Sequence, residues 1–448
     1  MDSPHHQRLR ELDESNITQF HWKIVFTAGM GFFTDAYDLF VIGIVVALLA
    51  PVWHLTTYQL ALLSGAALAS AGVGAFIFGW LSDHFGRKKM YGLEVLILFV
   101  GAILSAMAPS FTWLLVARII VGLGVGGDYP SSAVVVSEHA GRRHRGFLVL
   151  LVFAMQAVGL IVAPLVAALL LVLQVPDMWT WRILLGLGAI PAASVFFLRR
   201  RIEETPHFLI NKQKVREMPP FEVSRVVSDL AAYPGAKRSP FKEERLLAKR
   251  WLRVLFGTAG AWFLFDVAFY GNGISTTLIL KAIDPANSLL RHAMMTALIF
   301  LCFALPGYAL AAKYVDRIGR KRLQVLGFVM MAVCFAVIGL FPAVREMLPV
   351  FVLVFGISFF FVNFGPNTTT FLIPSEVYPT NIRAKAHGLS AAIGKLGAFV
   401  GSFVVPTMLV KHGVGPTMLL MAGVSLLGLW TTYFVPEMKN LSLLMTEE

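Results

Sequence analysis

Charge is what this chain has least of. Only 14% of its 448 residues are Asp, Glu, Lys or Arg, against roughly 25% in an average soluble chain. A soluble domain of this size has to cover its surface with polar groups, so the deficit excludes one. Cysteine is nearly missing too: Cys302 and Cys334 are the only two. Both lie inside apolar runs, which excludes a disulfide framework or a cysteine zinc site and makes them packing residues. No nucleotide-binding glycine loop, nucleophile–base pair or metal-ligand cluster stands out, so the chain is not expected to be an enzyme or to need a cofactor or metal. A cleavable signal peptide is not expected either, because residues 1–19 are polar and the first apolar run is long enough to span a bilayer. The net charge of +12 would suit nucleic acid, but the basic residues sit in short loops between apolar runs. There they face lipid headgroups, so the bilayer is the expected partner and nucleic acid is not.

What is present is apolar sequence, 57% of the chain. A spanning helix takes about 20 apolar residues, so twelve take about 240, which fits. The runs fall at 22–52, 57–81, 91–109, 112–137, 146–174 and 181–199, then at 251–282, 292–313, 323–343, 347–374, 385–410 and 414–435. The expected fold class is therefore an all-α membrane protein of twelve transmembrane helices. The segments read as an N-terminal stretch 1–21, a first half 22–199, a loop 200–250, a second half 251–435 and a tail 436–448. The loop holds Pro219, Pro220, Pro234 and Pro240, so at most short surface helices are expected there. Arg87, Lys88 and Lys89 follow the second run, Arg142, Arg143 and Arg145 the fourth, and Arg199, Arg200 and Arg201 the sixth, while the loops after the first and third runs carry no Lys or Arg. This alternation predicts cytoplasmic termini and residence in the plasma (cell inner) membrane.

The two halves echo each other. Asp83-His-Phe-Gly86-Arg87-Lys88 closes the second run, and Asp316-Arg-Ile-Gly319-Arg320-Lys321 closes the eighth. This doubled Asp-x-x-Gly-Arg-Lys motif, six runs apart, resembles the major facilitator superfamily. The resemblance covers nearly the whole chain. It implies two six-helix bundles around a central cavity and alternating access by rocking of the halves. It also implies that Asp83, Arg87, Asp316 and Arg320 gate, the Asp accepting from a neighbouring helix N-terminus or an Arg.

Charge inside a spanning helix is costly, so each instance is a functional candidate. The candidates are Asp35 and Asp38 in the first run, Asp128 in the fourth, Asp266 in the seventh and Lys395 in the eleventh, the one clear cation deep in a span. Asp35 and Asp38 share a helix face, and two close carboxylates cannot both ionise easily, so one is expected to hold a proton. Trp262, Asp266 and Tyr270 are spaced by four and form one stripe. Tyr129 stands beside Asp128, and Pro130 is expected to break the helix there. Gln156 is an intramembrane amide, and Asn363 and Asn367 flank Gly365-Pro366, where the helix is expected to loosen. Lys395 either pairs with Asp266 or supplies attraction for an anion.

Carboxylates repel anions, yet this set mixes Asp with Lys, Tyr, Trp and amides. A substrate carrying its own acidic protons resolves the contradiction. Monobasic phosphate can donate two hydroxyls to carboxylates while its bare oxygens accept from the rest; sulfate cannot. Four stretches point the same way: Thr34-Asp35-Ala-Tyr-Asp38, Gly126-Gly-Asp128-Tyr129-Pro130, Asn363-Phe-Gly-Pro-Asn367 and Gly394-Lys395-Leu-Gly397. In that order they resemble the phosphate:proton symporter family of fungi and plants. The resemblance implies proton-coupled import of inorganic phosphate, with phosphate held by Tyr129, Gln156, Trp262, Asp266, Tyr270 and Asn367 and with Lys395 beside it. Asp35, Asp38 and Asp128 would form the proton route, and a monomer is expected to suffice. Ser131 stands where the family usually has Leu, and Glu203-Glu204-Thr205-Pro206-His207 lacks the Arg of the family's motif. The alternatives are a proton symporter for aromatic or other organic acids and a phosphate-sensing receptor on a transporter fold. The Asp128-Tyr129-Pro130 run argues against the first, and the lack of a signalling motif against the second.

Overall fold

The computed structural model describes residue 17 and residues 19–85, 87–139, 144–199 and 249–439. The expected loop 200–250 therefore lies almost wholly outside the described residues. Among those described, the regular elements are helices and there is no strand. The first half holds α1 (Gln19–Val52), α2 (Thr57–Phe85), α3 (Arg87–Ala106), α4 (Phe111–His139) and α5 (Arg145–Val172). Its sixth span is split into α6 (Asp177–Leu187) and α7 (Ala189–Arg199). The second half starts with α8 (Lys249–Ile274) and the short α9 (Thr276–Ile283). Its next span is α10 (Leu289–Ile299), a π-helical turn at Phe300–Ala304, then α11 (Leu305–Ile318). After α12 (Arg320–Leu340) and the short α13 (Pro342–Glu346), a split span is made of α14 (Leu348–Phe364) and α15 (Pro366–Val377). Two long helices, α16 (Thr380–His412) and α17 (Val414–Thr432), complete the set. Eleven spans among the described residues are long and apolar enough to cross a bilayer, and the shorter apolar helix Met90–Ala106 supplies the twelfth crossing. The protein is an integral membrane protein of two six-span bundles, as the hydropathy pattern and the doubled motif predict.

Large apolar side chains such as Phe76, Trp80, Leu169, Phe197, Leu298 and Leu426 stay exposed on the outer faces. In water that much exposed hydrocarbon would drive association; in a bilayer it is the solvent-matched surface. The halves meet along a seam of small residues. Gly65, Gly72 and Gly79 recur every seven positions on α2, and their faces lie against Phe399, Ala392 and Gly388 of α16. Without side chains to interlock, the two helices approach closely and keep a smooth contact.

One helix break sits between the polar residues Asn363 and Asn367. Gly365 takes φ −119° and ψ −105°, and Pro366, which has no N–H to continue α14, starts α15 instead. This bears out the loosened helix expected between Asn363 and Asn367. The break expected at Pro130 is not there: α4 runs helical through it from Phe111 to His139. A proline nitrogen costs a helix interior a single hydrogen bond, the one to the carbonyl four residues back, and packing among membrane helices can offset that loss.

Candidate functional site

The stripe on α8 forms one wall of the site. Trp262, Asp266 and Tyr270 face the interior together with Lys395 of α16, and each is 2% exposed or less. The Lys395 ammonium donates to the Tyr270 hydroxyl at 2.8 Å and lies 3.4 Å from Asp266 Oδ2. It also sits over the Tyr129 and Tyr270 rings, 4.1 and 4.2 Å from their centroids, where the ring quadrupoles attract a cation. Gly394 lies directly against the Trp262 indole, where a side chain would collide, so α16 can bring Lys395 this close. Of the two possibilities left open for Lys395, the pair with Asp266 is formed. Asp266 Oδ1 nevertheless takes no hydrogen bond from any described residue. Tyr129 on α4 shares a 3.0 Å hydrogen bond with Tyr270 on α8, which joins the halves at mid-membrane.

A second polar group closes the other side. Tyr308 of α11 donates to Gln156 Oε1 on α5 and accepts from Asn367 Nδ2 on α15. Asn367 Nδ2 also lies 2.6 Å from Asn363 Oδ1, and Gln156 Nε2 has no partner among the described residues. Tyr308 is absent from the candidates drawn from the sequence. Its signal was weak: a tyrosine in Pro306-Gly307-Tyr308, one turn past the π-helical segment, and such turns are frequent at functional sites.

The acidic residues of the first half fall into two settings. Asp38 pairs with Arg118 of α4 at 3.8 Å, and the Arg118 guanidinium donates to the Asp38 carbonyl at 2.8 Å. The carboxylate packs on Gly188, where α6 gives way to α7. Asp128 is held by Arg199, which reaches both its oxygens at 2.7 Å, Glu94 at 2.8 Å, and covers the Tyr91 ring at 4.0 Å. Ser132 donates to Asp128 and Ser131 to Glu94, so the serine that replaces the usual leucine has a partner. Asp35 lines the same crevice as Glu94 and Asp128, and its Oδ2 is unpartnered among the described residues. The shared helix face of Asp35 and Asp38 therefore does not make them a pair. Three residues of α-helix leave two side chains about 60° apart, enough for each to reach different neighbours. Lys395 is not the one deep cation either, because Arg118 and Arg199 are also fully buried, and Glu94 adds a carboxylate that the candidates omitted.

At the end where α1 begins, the second copy of the doubled motif grips the first half. Asp316 accepts from the backbone N–H of Phe147, in the first turn of α5, at 3.0 Å and pairs with Arg320 at 2.8 Å. Arg320 in turn makes two 2.8 Å bonds to Glu376. A carboxylate on a helix N-terminus is favourably placed, and here it ties one half to the other. The side chains of Asp83 and Arg87 fall outside the described residues. Towards the opposite end the halves also touch, Gly43 lying on the Ile274 carbonyl and Gly273 on the Phe40 ring.

A family model described as sugar (and other) transporter matches residues 18–448. The probable inorganic phosphate transporter 1-6 of Arabidopsis thaliana is 34% identical, across 97% of this chain and 95% of its own. Inorganic phosphate transporter 1-6 of Oryza sativa subsp. japonica is also 34% identical, over 97% and 94%. Among solved structures, the proton:xylose symporter XylE bound to 6-bromo-6-deoxy-D-glucose superposes with a TM-score of 0.79. Its identity is 21%, over 96% of this chain and 99% of that one. The XylE of E. coli in a partially occluded inward open conformation gives 0.76, at 20% identity and 94% and 99% coverage.

Proposed function

Because this chain belongs to the sugar (and other) transporter family of the major facilitator superfamily and, within it, to the inorganic phosphate transporters, we propose that it imports inorganic phosphate together with protons by alternating access. The observation that carries the proposal is the Asp266–Lys395 pair with its open Oδ1. A carboxylate and an ammonium together carry no net charge. Around them stand phenols and amides that donate, while Asp266 still accepts. A ligand matched to this centre must both donate and accept, and monobasic phosphate does. Its single negative charge, added to a neutral pair in a low dielectric, is best carried with one proton. The relatives named as inorganic phosphate transporters agree with this substrate, and the neighbours titled proton:xylose symporter agree with symport.

In this reading Tyr129, Gln156, Trp262, Asp266, Tyr270, Asn367 and Lys395 hold phosphate, and Tyr308 orients the two amides. Asp38 is the coupling switch: protonated, it releases Arg118; ionised, it holds it. Glu94 and Asp128 hold the Arg199 guanidinium and Asp35 lines the same crevice, so these acids form the rest of the proton route. Asp316 and Arg320 latch the cytoplasmic end until the halves rock, and the doubled motif gives Asp83 and Arg87 the corresponding role. The basic loops place both termini in the cytoplasm and the protein in the plasma membrane, with residues 200–250 as a cytoplasmic connection. A single copy carries the whole site. The test is uptake of labelled inorganic phosphate into proteoliposomes with and without an imposed pH gradient. Accumulation that requires the gradient supports the proposal, and accumulation indifferent to it refutes proton coupling.

A further inference from the structure

One buried polar atom close to the site has no part in the mechanism so far. His387 lies on α16, fully buried, eight residues before Lys395. Eight residues of helix are about 12 Å, which sets His387 below the site, towards the end where α1 begins. Its ring stands edge-on to two aromatics, Trp262 at 5.5 Å and 88° and Phe371 at 5.3 Å and 90°. Nε2 lies 3.0 Å from the Phe371 carbonyl oxygen. A carbonyl only accepts, so Nε2 carries the hydrogen, and in the neutral ring Nδ1 is left with a bare lone pair. That Nδ1 has no partner among the described residues. A buried acceptor without a donor is costly to keep.

Phe371 is the hub of an aromatic floor under the Asp266–Lys395 pair. It stacks on Phe153 at 4.5 Å and meets Phe32 edge-on at 5.1 Å. Trp262, one turn below Asp266, completes the floor. Phe371 rides on α15, which starts at the Gly365–Pro366 break and can pivot there. The hydrogen bond from His387 therefore fastens the floor shut. When α15 swings away, the floor opens beside the free Nδ1.

We propose that His387 is a second acceptor for a phosphate hydroxyl, on the cytoplasmic side of Asp266, used as the substrate leaves the site. The inference rests on the phosphate reading above. Monobasic phosphate carries hydroxyls that can donate to a bare imidazole nitrogen, as they donate to the Asp266 carboxylate. A station about two turns further along the helix offers the leaving ion a new hydroxyl acceptor below the floor, which speeds release while leaving entry unchanged.

Two variants separate this role from packing. His387→Gln keeps an N–H where Nε2 bonds Phe371 and removes the Nδ1 lone pair. His387→Asn keeps an acceptor near Nδ1 and gives up the bond to Phe371. Each is purified, titrated with inorganic phosphate by calorimetry, and assayed for labelled phosphate uptake in proteoliposomes. For His387→Gln the expected result is phosphate affinity within about twofold of wild type and maximal uptake lowered about tenfold with little change in KM. His387→Asn should recover about a third of the wild-type rate or more. Uptake by His387→Gln at the wild-type rate, or equal loss in both variants, overturns the inference and assigns His387 to floor packing. If His387→Gln does not fold, His387→Asn decides alone: a retained rate supports the station and a lost rate overturns it. Wild-type protein that fails to bind phosphate defeats the phosphate reading itself. Wild-type binding with an unaffected Gln variant defeats only this inference.

Discussion

Replacing Asp266 by Asn tests the centre of the site. The substitution keeps the size of the side chain and exchanges an obligate acceptor for a mixed donor and acceptor. Two effects oppose each other. Losing the carboxylate frees Lys395 to attract an anion more strongly: two unit charges 3.4 Å apart interact by about 5 kcal/mol at an effective dielectric of about 20. But Lys395 spends its shortest bond, 2.8 Å, on Tyr270 and lies over two phenol rings, so its charge is already partly spent and little of that figure returns to the ligand. Against this, the phosphate hydroxyl loses its matched acceptor, an unpaired buried polar contact worth about 1–3 kcal/mol. The loss wins, and affinity should fall roughly 5- to 150-fold. Calorimetry with inorganic phosphate measures it. The single variant should also melt earlier, since removing one partner of a buried pair is destabilising. Asp266→Asn combined with Lys395→Gln should recover the melting temperature without recovering binding. Recovered binding in the double variant, or unchanged affinity in the single one, would show that Asp266 only accompanies Lys395, and the site model would fail.

Asp38→Asn should abolish gradient-driven accumulation while phosphate exchange partly survives, because an amide beside Arg118 cannot release a proton; continued accumulation against a gradient would remove Asp38 from the coupling step. Uptake should rise as external pH falls from about 8 towards 6, since the monobasic ion and the protonated carrier are both favoured on the acid side. In the same assay excess arsenate should compete well and sulfate poorly; the reverse order would refute the hydroxyl-donor argument. Tyr308→Phe removes the hydroxyl that bonds both Gln156 and Asn367, which keep their own 3.4 Å contact, at a cost of about 1 kcal/mol, and should raise the KM for phosphate; an unchanged KM would place the two amides outside the substrate site.

The parts legible in the sequence are those whose cost is local. A run of apolar residues, a repeated loop motif, or a carboxylate stranded in a hydrophobic helix declares itself without reference to the rest of the chain, and so the spans, the doubled motif, the α8 stripe and Lys395 were found. The parts missed are pairings. Arg118 looks like a stray charge until it meets Asp38, 80 positions away, and Tyr308 like a packing aromatic until it meets Gln156, 152 positions away. Pro130 misled for the opposite reason: its local cost is real, and the surrounding helices absorb it.

The pairings also alter the charge argument. Near the centre of the first half, among the described residues, Asp35, Asp38, Glu94 and Asp128 face two buried bases, Arg118 and Arg199, whereas the central α8–α16 pair of the second half balances Asp266 with Lys395. An excess of buried acids over bases is stable only if protons fill the difference. In the proposed mechanism, proton storage therefore belongs to the first half and the phosphate charge to the second. These two proposed stores touch through the Tyr129–Tyr270 hydroxyl pair, which joins α4 to α8. The proposed rocking of the halves would stretch that bond, and a bond of this kind can report to each half the occupancy of the other.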